Sequence, residues 1–250
     1  MAIAAKGTSM LRRKADEVKR YRTYQRIIPR VLAVIAALLL LVYVVALMYT
    51  RYGSFTVTVN KYHSLQYGLA LSETPDFGKP TALLECRAAE EITNIDGKYL
   101  ADLDLGAIDG ADSGENYLCY TFYCKNTGVE PIEFEYAINI ANMTLGIEEA
   151  CRIRLMTSKN GKDFTVVDYA RAAGVDENGQ AIPEPNTTPF FDKYTVMKAT
   201  ETDFYPGDLR KYTVVIWLEG NDPQCIDPII GGEFKVDMNF KVTKVAEVDV

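Results

Sequence analysis

Histidine is nearly absent: His63 is the single one in 250 residues. That scarcity excludes HExxH helices and multi-histidine metal centres. A Ser-His-Asp triad would have to be built on His63, and no nucleophile-elbow motif accompanies it. His63 falls near the end of the first expected strand and reads as an ordinary polar residue. Glycine loops that cradle phosphate and dinucleotide fingerprints are missing. No Cys-x-x-Cys spacing occurs, so zinc and dithiol redox chemistry have little footing. Carboxylates are so abundant that no pair stands out as a general acid and base. The expectation is a protein that is not an enzyme and carries no catalytic residue or resident cofactor.

Charge is missing from one stretch altogether. Val31 to Tyr49 (VLAVIAALLLLVYVVALMY) is apolar throughout and is bracketed by Arg30 and Arg51. A spanning helix needs ~20 apolar residues at ~1.5 Å each to cross ~30 Å of hydrocarbon, and this run meets that length. Residues 1–30 hold nine cations (Lys6, Arg12, Arg13, Lys14, Lys19, Arg20, Arg22, Arg26, Arg30) against Asp16 and Glu17. Cationic flanks stay cytoplasmic, which puts the amino end inside and the carboxyl end outside. With Arg51, ten of the 27 cations and two of the 34 acids are spent, leaving 17 cations and 32 acids beyond, a net −15. So acidic an exterior argues against nucleic acid as a partner. The basic segment points instead to the lipid bilayer, as topology signal and through anionic headgroups.

A secretory signal has an apolar core of ~7–15 residues and a small-x-small cleavage site. Here the run is longer, and the best site, Val44-Val45-Ala46, precedes Leu47 and Met48. An uncleaved single-pass anchor is favoured, with cutting near Ala46 and secretion as the alternative. The expected division is a basic cytoplasmic segment (1–30), a transmembrane helix (31–50) and an extracellular β-domain (51–250).

The exterior is long enough for one substantial domain, and its periodicity is that of strands. SFTVTVN puts Phe55, Val57 and Val59 on one face. YLCYTFYCK groups Leu118, Tyr120, Phe122 and Cys124. After Asn126-Thr127-Gly128, IEFEYAINIA aligns Ile132, Phe134, Tyr136, Ile138 and Ile140, and the two read as a hairpin. CRIRLMT and DFTVVDYA flank Lys159-Asn160-Gly161-Lys162 as a second hairpin. LRKYTVVIWLEG follows the Tyr205-Pro206-Gly207-Asp208 turn. In EFKVDMNFKV, Phe234, Val236, Met238, Phe240 and Val242 share a face. This predicts an all-β fold: an antiparallel, jelly-roll-like β-sandwich with few short helices. Helices are expected over Thr81–Ile95 and Met143–Ala150, and a turn-rich loop over Gly174–Pro189.

Five cysteines (Cys86, Cys119, Cys124, Cys151, Cys225) lie beyond the apolar run, where disulfides are permitted. Cys119 and Cys124 sit ~17 Å apart on one strand with opposite parity and cannot pair with each other. An odd count leaves at least one thiol unpaired; most read as small buried apolar residues. Asp102, Asp104, Asp109, Asp112 and Glu115 crowd one acidic stretch and are weak calcium candidates, because calcium takes six to eight oxygens from flexible loops. The run does not match a twelve-residue calcium loop. Asn221 to Asp227 is a second polar loop with the same ambiguity. Trp217 reads as core rather than as a sugar-stacking platform.

The order of a basic start, an apolar run, SFTVTVN, a YTFYCKNTG strand and turn, then YPGD, WLEGNDPQCIDPIIGG and EFKVDMNF resembles the TasA/camelysin group of Gram-positive surface and biofilm-matrix proteins. The resemblance implies a jelly-roll-like sandwich that assembles outside the cell when an amino-terminal strand of one copy adds to the next. The corresponding segment here is roughly Phe55 to Asn60, with Phe55, Val57 and Val59 inward. Camelysin's metallopeptidase classification is not carried over, since no zinc motif exists here. Two functions are therefore expected. One is a non-enzymatic, membrane-anchored or processed surface protein that self-associates or docks other surface proteins by strand addition. The other is an extracellular carbohydrate- or calcium-dependent adhesion module.

Overall fold

The structure, a computed structural model, describes residues 27–44, 55–87, 92–159 and 161–245. The chain divides into two compact units, Met1–Tyr52 and Gly53–Val250. In the first, α1 (Ile27–Val44) is a helix long and apolar enough to cross a membrane. It begins four residues before the expected span. The cations Lys6 to Arg26, the Ala46 cleavage candidate and the end of the apolar run lie outside the described residues.

The second unit is a two-sheet sandwich. One sheet has the order β12 (Thr195–Phe204), β6 (Ile132–Met143), β14 (Phe234–Val245), β1 (Phe55–Val59), β3 (Leu83–Cys86). The other runs β11 (Thr188–Pro189), β8 (Thr165–Ala170), β7 (Cys151–Ser158), β13 (Leu209–Leu218), β5 (Tyr117–Asn126), β2 (Leu69–Ser72). The two-residue β4 (Gly110–Ala111) also pairs with β5. Among the described residues neither sheet closes into a barrel. The alternating faces expected of the strands meet between the sheets. Phe55, Tyr120, Phe122, Phe134, Tyr212 and Phe240 are buried in one cluster. Phe122 lies edge-on to Phe240 at 6.1 Å and Phe55 edge-on to Tyr120 at 6.1 Å, each pair crossing the sandwich.

Three expectations are corrected. The strands of YLCYTFYCK and IEFEYAINIA do not form a hairpin: β5 pairs with β13, β2 and β4, and β6 with β12 and β14. Crossing from one sheet to the other makes the faces meet. Asn126 fixes the crossing, its buried amide donating to the carbonyls of Glu130 and Phe204 at 2.9 Å each. Gly68 (φ +73°) approaches so closely that a Cβ there would lie 2.2 Å from the Gly128 nitrogen.

Within the stretch Thr81–Ile95 expected as a helix, Leu83–Cys86 is the strand β3, and Thr81 and Ile95 each make an isolated bridge. Leu84 and Cys86 are buried while Leu83 and Glu85 face out, a period of two that matches the free side of β1. The helix expected over Met143–Ala150 shrinks to a 3-10 turn, Ile147–Glu149. Leu145 (φ +57°) and Gly146 (φ +74°) are left-handed, a backbone that a right-handed helix cannot contain. The sandwich is antiparallel apart from two strand pairs, since β1 runs parallel to β14, and β11 to β8.

The β7–β8 hairpin forms as expected, in register from Arg152↔Ala170 to Thr157↔Thr165. The Gly174–Pro189 loop carries a small hairpin of β9 (Gly174–Val175) and β10 (Ala181–Ile182). Asp176 closes it by accepting from the Asn178 and Gln180 nitrogens at 2.9 and 2.7 Å. Those bonds hold its carboxyl below the usual range.

Candidate functional site

The expected assembly strand, β1, is occupied within its own domain. Phe55, Val57 and Val59 are buried in the core, and Thr56 and Thr58 face outward. β14 takes one side of the strand in parallel (Phe55↔Val236 to Val59↔Phe240). β3 takes the other antiparallel (Phe55↔Cys86 to Thr58↔Leu83). Both rows of backbone groups are therefore spent, and β1 offers no open edge in this state. On the outer face a polar ladder crosses three strands. Thr58 Oγ1 donates to Asn239 Oδ1, and Asn239 and Asn139 both donate to Asp237 Oδ1, at 2.9 and 3.1 Å. Burial raises the Asp237 pKa from the ordinary carboxylate value, although both amides oppose the shift.

Beyond Val59 the chain leaves the sheet at once. Asn60 caps α2 (Lys61–Tyr67) through its side chain, which accepts from the Tyr62 nitrogen at 3.0 Å. His63 lies within α2. After Gly68 the chain enters the opposite sheet as β2. The open edges are elsewhere. On the first sheet they are β3, four residues long, and β12, ten residues interrupted by register shifts at Thr195/Met197 and Glu201/Phe204. Such bulges blunt an edge against further pairing.

The calcium candidates do not converge. Asp102 ends a 3-10 turn (Gly97–Asp102), and Asp104, Asp109 and Glu115 are exposed at separate points along the segment. Asp109 is engaged, accepting from the Tyr123 hydroxyl at 2.6 Å with the Lys211 ammonium at 3.6 Å. The Asp112 nitrogen donates to the Cys119 carbonyl at 3.0 Å, tying that loop to β5. Among the described residues no three His, Cys, Asp or Glu side chains gather in a way that could hold a metal. Trp217 is buried beneath the same segment, packed with Leu100, Leu105, Cys119 and Val215. Its Nε1 donates to Glu219 Oε2 at 3.1 Å, and the Gly97 nitrogen donates to the same oxygen at 3.1 Å.

The second polar loop holds a structural ion pair. The Asp222 carboxylate is fully buried against Arg152, itself 5% exposed, and Glu184 lies 3.7 Å from the same guanidinium. Beside it, Arg171 approaches Glu148 and Glu149 at 3.9 and 3.8 Å. Burial raises the Glu149 pKa despite that cation. Glu148 Oε2, Arg171 Nε and Gln224 Oε1 are buried without a hydrogen-bond partner. The sequence reading did not single out Arg152 or Arg171. The available signal was an arginine within CRIRL, between positions that are otherwise apolar.

All five cysteines are free. Burial pushes the Cys86 thiol up to about 11 and the Cys119 thiol to about 12, and raises Cys124 and Cys151 further. These four are held as thiols rather than reactive thiolates.

Fold and site define a class: an all-β, two-sheet sandwich whose chain also carries an amino-terminal helix apolar enough to span a membrane. No family model matches the chain, and no curated protein matches it. Among solved structures, a β-glucosidase from Kluyveromyces marxianus in complex with glucose is similar at 11% identity and a TM-score of 0.21. The match covers 72% of this chain and 16% of that one. The chain thus spans about a sixth of that protein's length, and so low a score carries no argument.

Proposed function

We propose that this chain is a non-enzymatic cell-surface protein, anchored with its amino end in the cytoplasm, that associates by exchanging β1 between copies. The observation that carries this reading is the placement of β1. It is a five-residue strand slotted between β14 and β3, supplying three buried side chains from a segment that precedes every other strand among the described residues. Burying a Phe or Val side chain contributes about 1.5–3 kcal/mol, so the slot cannot be left empty. A second copy's β1 remakes the same contacts in the same register, so exchange changes contact energy little. Concentration decides which copy fills the slot. Anchoring raises that local concentration, and the resemblance to strand-donating matrix proteins points the same way.

The test is a register-specific cross-link in the full-length chain. Thr58→Cys and Asn239→Cys place thiols at positions whose native side chains touch. After oxidation in membranes, non-reducing gels should show dimers and longer ladders, absent from either single variant. Cross-linked monomer alone, at every surface density, would sink the proposal.

A further inference from the structure

Both ends of the sandwich expose apolar side chains, but leucine and isoleucine do so at the end where the chain enters β1. β1 begins at Phe55 beside Val236, β6 ends at Met143 beside Phe234, and β7 begins at Cys151 beside Leu218. The β6–β7 turn and the β13–β14 loop therefore cap the end at which the chain enters β1. That end exposes Leu145 (59%), Ile226 (55%) and Ile230 (74%), with Phe191 and Tyr194 on the neighbouring turn before β12. These turns adjoin through β6. The Thr144 nitrogen donates to the Glu233 carbonyl at 3.0 Å, and the Ile140 nitrogen to the Tyr194 carbonyl at 2.7 Å. Leu145 holds φ +57°, a left-handed backbone that costs a non-glycine residue about 1–2 kcal/mol, and its side chain buries little within the domain. The opposite end exposes Tyr62, Val129 and Tyr205.

We propose that this end rests on the bilayer, with Leu145, Ile226 and Ile230 seated at the boundary between headgroups and acyl chains. The inference rests on α1 being a membrane anchor. Only residues 50–54 separate the apolar run from Phe55. Five residues span at most about 18 Å when fully extended, so chain length alone bounds how far Phe55 can lie from the end of the apolar run. Tyr194 and Phe191 suit the interface. Lys193 lies 5.2 Å from the Tyr194 ring and Lys198 4.6 Å from the Phe191 ring, where their stems can reach toward headgroups. Glu148, Glu149, Asp192 and Asp227 also crowd this end. The docking force is therefore apolar rather than electrostatic, and phosphatidylcholine suffices without anionic lipid.

The full-length chain, reconstituted in phosphatidylcholine vesicles, carries an environment-sensitive fluorophore at Ile230→Cys or at Val129→Cys, both with Cys225→Ser. Nitroxide placed high on the acyl chain should quench the probe at position 230 at least twofold more than the probe at 129. Adding Leu145→Glu and Ile226→Asp should erase the difference. Alkaline extraction is run in parallel. Release of the chain by alkali overturns the anchor and this proposal together. Retention with equal, weak quenching at both positions overturns this proposal alone. Lipid-insensitive probes at 230 that self-quench as protein density rises would assign the face to a second copy, and also overturn it.

Discussion

Asp222 is the most completely buried charge among the ion pairs, and Arg152 is nearly as hidden. Two ions removed from water cost several kcal/mol each, repaid only while they face each other. Asp222→Ala strands Arg152, with Glu184 too distant at 3.7 Å to replace a direct bond. It should cost about 3–5 kcal/mol, read as a loss of unfolding free energy in denaturant titration. Arg152→Met with Asp222→Leu should recover part of that loss, because the fully buried carboxylate goes with its cation and the charge left without a partner, Glu184, keeps some contact with water. Asp237 makes the opposite case. Burial raises its folded pKa above the unfolded value, so the folded state binds the extra proton. Its contribution is therefore most favourable below the unfolded carboxylate pKa and is lost as pH rises through the raised folded value. Asp237→Asn keeps an oxygen for Asn139 and Asn239 but removes the charge. The variant should melt higher at neutral pH, and its advantage should shrink as pH falls toward 4. A variant that melts lower than the parent at pH 7 would contradict the burial argument.

At the scale of elements, the sequence made the strands legible but not their partners. The alternation in Phe234–Val242 and Ile132–Ile140 names the inward faces correctly, since a period of two is a local property. Which strands pair is not local. β5 and β6 are five residues apart in sequence and lie in different sheets, because each apolar face needs the other as cover. β3 escaped notice because LLEC is too short to declare a period, and only the vacant side of β1 makes it a strand. The 3-10 turn at Ile147 was read as helix because a left-handed leucine has no sequence signature. For the candidate site, Phe55, Val57 and Val59 were legible as one inward face, but their burial within their own domain was not. The acidic run looked like a ligand set in one dimension. In three, its members are spread along a covering segment whose apolar residues, Leu100 and Leu105, pack with Trp217.

For the whole molecule, the asymmetry of charge carries the last prediction. Cations decide which end of an apolar helix stays in the cytoplasm, and acids contribute little to that choice. The nine Lys and Arg of residues 1–30 outweigh the single Arg51 that follows the apolar run closely. The 199 residues beyond Arg51, at net −15, would then be exported whole, facing an outer medium that solvates them well. A cysteine at Val129, 89% exposed at the end remote from Leu145, should react with membrane-impermeant maleimide on intact cells. A cysteine placed at Thr8 should react only after permeabilisation. Background labelling should be low, since four native thiols are buried and held protonated and Cys225 is half-buried. Exchanging Arg12, Arg13, Lys14, Lys19, Arg20 and Arg22 for glutamine leaves three cations on the amino side and should yield a mixed population labelled at both positions. Strong labelling at position 8 in intact cells carrying the unaltered basic segment would reverse the orientation. It would also remove the shared surface on which strand exchange between copies depends.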